Sequence, residues 1–295
     1  MNGLVLIDKP AGMTSHDVVN RWRKMAGTKR VGHLGTLDPL ATGVLALLTG
    51  PATRLASFFE RDEKTYEAEI RFGFVSDTYD VDGKVETTGA TLPSEDEIRA
   101  ALQNFRGRFL QTPPPVSAKK IAGVPAYKLA RRNLPFELQP VEVEVLELRV
   151  IALSASAVEL EITCSSGTYI RSLAHDLGQR LGCGALLASL RRTRAGDFSL
   201  AQAHTLEELM KFAEAGQLEQ VLIPAANLLS QVPSECVSEV VEAQIRQGRQ
   251  FRTSPFVVPP GAPLVRAISR SGNLVAIGKL VIPNLYHPST VFQAD

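Results

Sequence analysis

Cysteine is scarce and unpatterned in this chain. Its 295 residues hold three, Cys164, Cys183 and Cys236, far apart and with no CxxC pair. An odd, low count of this kind argues against a disulfide framework and a zinc site, and points to a reducing compartment. An excess of charge of one sign is lacking too: 32 basic residues stand against 31 acidic ones, a net charge of +1. Polyanion binding through bulk electrostatics is thereby excluded, so any such site has to come from local clustering. No apolar run reaches the roughly 18 residues of a membrane span. Met1 to Lys9 is too short an apolar run for a signal peptide and lacks a basic leading segment. A cytoplasmic protein without membrane association is expected. His16, His33, His175, His204 and His287 show no metal spacing such as HExxH, so no metal is expected. Gly27 and Gly32 have the spacing of a phosphate loop, but His33 stands where its lysine is required.

What is present is an ordinary globular composition, 44% apolar and 21% charged. The length suits one large domain plus a small one. Leu4 to Ile7 reads as a buried strand ending at the turn Lys9-Pro10-Ala11-Gly12. Thr14 or Ser15 then caps a helix carrying Val18, Val19, Trp22 and Met25 on one face, ending at Gly27. A glycine-rich stretch, Gly32 to Gly43, follows, and the apolar run Val44 to Leu48 after it is expected to be helical. Tyr66, Ala68, Ile70 and Phe72 alternate with Glu67, Glu69 and Arg71, which is the period of a strand. Ser94 with Glu97 and Thr205 with Glu208 are capping boxes. Gln111 to Asn133, rich in Pro, Lys and Arg, reads as a long functional loop. Val141 to Leu153 and Ala157 to Cys164 are two strands, and Ser165-Ser166-Gly167 turns into a helix with Ile170, Leu173, Ala174, Leu177 and Leu181. Gln231 to Ser234 marks a boundary, beyond which one helix, Ser238 to Gln247, and strands near Leu264 to Ile268 and Leu274 to Leu280 are expected.

The glycine-rich stretch is the first candidate for chemistry. Gly32, Gly35 and Gly43 free the backbone to bend close to a ligand. Pro39 biases Asp38 toward an extended conformation that holds its carboxylate at a loop tip. On composition alone, an ordinary turn with a solvated aspartate is the standing alternative. Asp77, Asp80, Asp82 and Gly83 lack the register of a calcium loop and read as a turn between strands. Arg171, at a helix start, is suited to pair with a carboxylate, though a surface arginine is the plainer reading of it alone. Tyr66 and Tyr169 read as core aromatics. The basic clusters, Arg21 to Arg30, Lys119-Lys120, Lys128 with Arg131-Arg132, and Arg191-Arg192-Arg194, are each by default a solvated face; converging on one site, they would track a phosphate backbone.

Several motifs together resemble one family, the bacterial TruB-type tRNA pseudouridine synthases. They are Lys9-Pro10-Ala11-Gly12-Met13-Thr14-Ser15, the Gly32 to Gly43 block, Lys64-Thr65-Tyr66-Glu67-Ala68, Gln111-Thr112-Pro113-Pro114 with Ser117-Ala118-Lys119, Ser165 to Leu173, and Leu190-Arg191-Arg192 with Gly196 and Phe198. The Gly-His-Leu-Gly-Thr-Leu-Asp-Pro block is the most specific, and order and spacing match over residues 3 to 200. Val116 departs from the family, which usually carries an aromatic residue there. The resemblance implies an α+β fold: a pseudouridine synthase catalytic domain over residues 1–230, with a central mixed, largely antiparallel sheet and an RNA-binding loop near 111–133. A small β-rich PUA-like RNA-binding domain over 231–295 would follow.

The resemblance also implies roles. Asp38 would be the nucleophile, Tyr66 would stack on the target base, and Arg171 would pair with Asp38. His33 would fill the stack vacated by flipped nucleotides, Tyr169 and Leu190 would line the uracil pocket, and Lys9 would support the nearby loop. The partner would be the T-arm stem-loop of tRNA, modified at uridine 55. No cofactor is expected, because breaking N1–C1′ and joining C5 to C1′ gains and loses no atoms. The carboxylate would attack C1′, add to C6 or act through a glycal; the residues do not choose. No interface pattern stands out, and a monomer is expected. Two other functions compete: an inert RNA-binding or tRNA-folding protein on the same fold, and a carboxylate-nucleophile hydrolase of nucleosides or sugars. The set Asp38, Tyr66 and Arg171 argues against the first, and the basic 111–133 loop and C-terminal module against the second.

Overall fold

The computed structural model describes residues 1–117, 119–121, 124, 125 and 136–293. The strand Gly3–Lys9 pairs antiparallel with a strand Thr42–Thr49 in continuous register, Gly3 opposite Thr49 and Lys9 opposite Gly43. Val44 to Leu48, expected to be helical, is therefore the middle of a strand. The reason lies on both its faces. Val5, Ile7, Leu45 and Leu47 enter one hydrophobic core, while Leu4, Leu6, Val44, Ala46 and Leu48 enter a second on the opposite side. A strand covered on both faces shows no polar alternation, so its short apolar run carries no period that tells strand from helix.

These two strands belong to a ten-stranded sheet. From one edge the order is Ile223–Pro224, Gly3–Lys9, Thr42–Thr49, Ala185–Ala195, Lys64–Phe72, Ala157–Cys164, Val141–Leu153 and Gly107–Gln111. Val31–His33 adds to Thr42–Thr49, and Phe198–Ser199 to Ala185–Ala195. Every pair is antiparallel except Thr42–Thr49 with Ala185–Ala195, so the sheet is mixed and largely antiparallel, as expected. At that parallel seam Gly43 has φ +97°, and a Cβ there would lie 2.2 Å from the Arg192 carbonyl oxygen. Only glycine allows this approach. The long Ala185–Ala195 strand was not expected. Its arginines have the sequence pattern of a solvated cluster, yet Arg192 is 1% exposed.

Helices cover one face. Thr14 caps Ser15–Met25 with a complete capping box, and the helix buries Val18, Val19 and Trp22, whose indole Nε1 donates to Thr49 Oγ1 at 2.8 Å. Ser94 and Thr205 cap Glu95–Leu102 and Leu206–Glu214 with the expected boxes. The helix Ile170–Arg180 packs Leu173, Ala174 and Leu177 into the same core. Part of the expected 111–133 loop lies outside the described residues, including Lys128, Arg131 and Arg132; a short pair, Lys120–Ile121 with Val124–Pro125, is described. Among the described residues no helix is long and apolar enough to cross a membrane.

Beyond residue 231 a second sheet forms. Its order is Ser234–Val237, Leu264–Ser269, Leu274–Ile282, Leu285–Val291 and Phe251–Arg252, with the helix Glu239–Arg246 against it. This is the small β-rich C-terminal unit expected. Three of its strands, Ser234–Val237, Phe251–Arg252 and Leu285–Val291, were missed because they are short or carry few apolar residues. Leu274, Ile277 and Phe292 from this unit join the core behind Gly3–Lys9 and Thr42–Thr49. Arg266 also donates to the carbonyls of Val232 and Ala226, both at 2.8 Å. Deleting residues 232–295 removes Leu274, Ile277 and Phe292 from this shared core. It also uncovers Leu4, Leu6 and Leu48, so the shortened chain should melt well below the full one in calorimetry.

Candidate active site

Thr14 takes the capping role, and this leaves the Ser15 hydroxyl free to face the Gly32 to Gly43 loop. Ser15 Oγ accepts from Leu37 N at 2.8 Å and donates to Leu37 O at 2.9 Å. On the other side of Asp38, the Pro39 carbonyl accepts from Gly12 N at 2.9 Å and from Lys9 Nζ at 3.4 Å. Lys9 is fully buried and also donates to Pro10 O at 2.9 Å and Met13 O at 2.6 Å. Burial pulls its ammonium down to about 8, against the opposing pull of Asp38. Asp38 is thus flanked by two fixed residues, and its own side chain remains 40% exposed.

Arg171 enters from the first turn of Ile170–Arg180. Its side chain is 6% exposed, and its Nε lies 3.0 Å from Asp38 Oδ2. The guanidinium also donates to Thr78 O at 3.0 Å and Val116 O at 2.9 Å, and reaches Asp80 Oδ2 at 3.5 Å. The surface reading of Arg171 is thereby corrected. Asp80 is the residue that sequence reasoning missed. It does sit in the turn between Phe74–Ser76 and Val85–Thr87, but only 3% of it is exposed. Burial pushes its carboxyl upward, opposed by the Thr78 hydroxyl and by Arg171. An aspartate in an Asp-rich turn gives no sequence signal for burial; the docking of that turn on Ala185–Ala195, through Leu187 N to Tyr79 O at 3.0 Å, creates it.

Next to this ion pair is a cavity of ≈ 250 Å³ lined by Asp38, Tyr66, Tyr169, Arg171, Leu190, Lys64 and Arg192. Tyr66 is 9% exposed, and burial holds its phenol above the ordinary range, so it stays protonated. Tyr169 is fixed by the buried Gln111, whose side chain accepts from Tyr169 N at 2.8 Å and donates to Tyr169 O at 3.0 Å. Burial raises its phenol as well. Five of the seven residues singled out from the sequence therefore meet at one place. The other two stand apart from the cavity wall: Lys9 lies beneath the loop, and His33 is exposed at the end of Val31–His33, two residues before Gly35, which lines the cavity.

The arrangement is a carboxylate with a buried cationic partner beside an aromatic pocket. A family model described as "TruB family pseudouridylate synthase (N terminal domain)" matches residues 23–170, and one described as "tRNA pseudouridylate synthase B C-terminal domain" matches residues 171–230. A "tRNA pseudouridine synthase B" from Solibacter usitatus is 52% identical over 292 residues, covering 99% of this chain and all of the relative. The chain belongs to the TruB family. It is an isomerase of the tRNA pseudouridine synthase class. A relative of the same name from Pseudomonas syringae is 37% identical across 100% of this chain and 97% of its own length. Among solved structures, a Cbf5-Nop10-Gar1 complex contains a chain 25% identical with a TM-score of 0.71, covering 99% of this chain and 84% of that one. An H/ACA RNP bound to a substrate RNA containing 2′-deoxyuridine reaches 0.72 at 24% identity over 99% of this chain and 85% of that one, a likeness of fold.

Two substitutions test this site in the TruB-family chain. Ser15→Ala strands a buried N–H and C=O of Leu37, a loss of about 1–3 kcal/mol; melting temperature should fall and turnover slow, with RNA affinity unchanged. Asp80→Asn removes one of the two carboxylates around Arg171. Single-turnover measurement should show a loss of about tenfold or more, because an unbalanced buried cation no longer holds Asp38 in place.

Proposed function

We propose that this enzyme converts uridine 55, in the T-arm of tRNA, to pseudouridine, with Asp38 as nucleophile on a flipped-out nucleotide. The observation that carries this reading is the Asp38–Arg171 pair on the wall of the cavity that Tyr66, Tyr169 and Leu190 also line. The buried guanidinium lies 3.0 Å from the Asp38 carboxylate and fixes its direction beside the pocket.

Tyr66, protonated and apolar-faced, stacks on the target base. Tyr169 and Leu190 close the pocket around it. His33, exposed just ahead of the loop, fills the gap that the flipped nucleotide leaves. Lys9 keeps the loop in shape from below. Flipping takes a few kcal/mol, which the Tyr66 and His33 contacts offset. RNA is read through splayed loops and shape, which suits a T-loop. Residues 1–230 are the catalytic domain, with 111–133 as an RNA-contacting loop, and residues 231–295 are a PUA-like RNA-binding domain. The enzyme works as a cytoplasmic monomer without cofactor.

Asp38→Asn should abolish pseudouridine formation on a T-arm stem-loop while leaving RNA affinity within about tenfold, since only the reacting oxygen pair changes. Mapping pseudouridine in an unmodified tRNA transcript after incubation tests activity and position together. Activity of the Asp38→Asn protein, or product at a position outside the T-arm, would overturn the reading.

A further inference from the structure

Two cations that line the cavity have no carboxylate within salt-bridge distance among the described residues, and the Asp62 carboxylate acts on Lys64 only from farther off. Lys64 is 7% exposed and Arg192 1%, and both line the cavity. Lys64 Nζ donates to the Asp62 carbonyl. Arg192 donates from Nε to Val44 O at 2.7 Å, from Nη2 to Gly35 O at 3.1 Å and from Nη1 to Thr36 O at 3.5 Å. All these acceptors are backbone carbonyls, and neither cation forms a salt bridge among the described residues. Arg171, in contrast, faces both Asp38 and Asp80. Burying a charge without a paired opposite is unfavourable, so both cations are left with a demand for an anion. Two of the N–H groups of Arg192 and two of Lys64 are left over from the contacts above.

The reaction supplies the missing anion. Attack on C1′ breaks N1–C1′ and leaves its electron pair on the uracil ring. In the glycal route the carboxylate takes the C2′ proton and the base departs with the same pair. Addition of the carboxylate to C6 pushes the C5=C6 pair onto O4 as an enolate. In each route negative charge develops on the pyrimidine, and it disappears once C5 is joined to C1′, C5 has lost its proton and N1 has gained one. We propose that Lys64 and Arg192 are catalytic residues that stabilise this anionic uracil ring, whichever of these routes Asp38 takes. The inference rests on the reading that the cavity receives the target uridine.

Full-length Lys64→Gln, Arg192→Gln and Arg192→Lys proteins would be compared with the unaltered chain on T-arm stem-loops carrying uridine or 5-fluorouridine at the target. Fluorine makes the ring anion intrinsically more stable, so consumption of 5-fluorouridine depends less on protein cations. Each Gln variant should lose about 10²–10³-fold in single-turnover rate on uridine, with Kd within about threefold, and about tenfold less than that on 5-fluorouridine. Arg192→Lys, which keeps the charge, should recover much of the rate. Equal losses on the two substrates would mean that the cations only shape the loop. A raised Kd with an unchanged saturating rate would mean a phosphate clamp. Either result overturns the proposal. Should Arg192→Gln fail to fold, Lys64→Gln carries the same comparison. Inactivity of the unaltered chain, or activity of Asp38→Asn, would instead defeat the reading on which the inference rests.

Discussion

Arg171 is the point on which the site turns. Its guanidinium, nearly sealed from water, touches the Asp38 loop, the turn holding Thr78 and Asp80, and the Val116 carbonyl, while its backbone starts a helix rooted in the main core. Four separate stretches of chain are thereby tied to one planar cation. A planar fork with five donors suits this role in a way that a lysine would not. In a low-dielectric setting the attraction to the carboxylates is strong, but so is the penalty when one partner is lost. The site is therefore ordered as a unit.

The loop bearing Asp38 shows the same economy of freedom. Its glycines would let it wander, and each degree of freedom is removed by a contact from outside: Ser15 on Leu37, Gly12 and Lys9 on Pro39, Arg192 on Gly35 and Thr36. The carboxylate itself keeps its exposure. A carboxylate held still by its neighbours yet partly open to solvent suits the nucleophile proposed here.

Much of this was legible in the sequence, for specific reasons. Capping boxes at Ser94 and Thr205 are local signals, and alternation around Tyr66 is a local period; both survived folding unchanged. Asp38, Tyr66 and Arg171 carried motif resemblance, and the cavity brings them together. What was hidden depended on remote partners. Val44 to Leu48 lost its strand signature because a second core covers its other face. Arg192 resembled a solvated charge because nothing in Leu190 to Arg194 reveals the Gly43 approach that buries it. Asp80 resembled a turn residue for a similar reason: its partner lies 91 positions away in the chain, at Arg171. Burial of a charge is a property of the assembled fold, not of the segment carrying it.

The shared core of Leu274, Ile277 and Phe292 with Leu4, Leu6 and Leu48 has a geometric meaning. The same strands whose outer ends position Asp38 turn their other face to the C-terminal sheet, so one apolar seam joins the two. Parting the two sheets would open Leu4, Leu6 and Leu48 to water, so a displacement of either one is felt by the other.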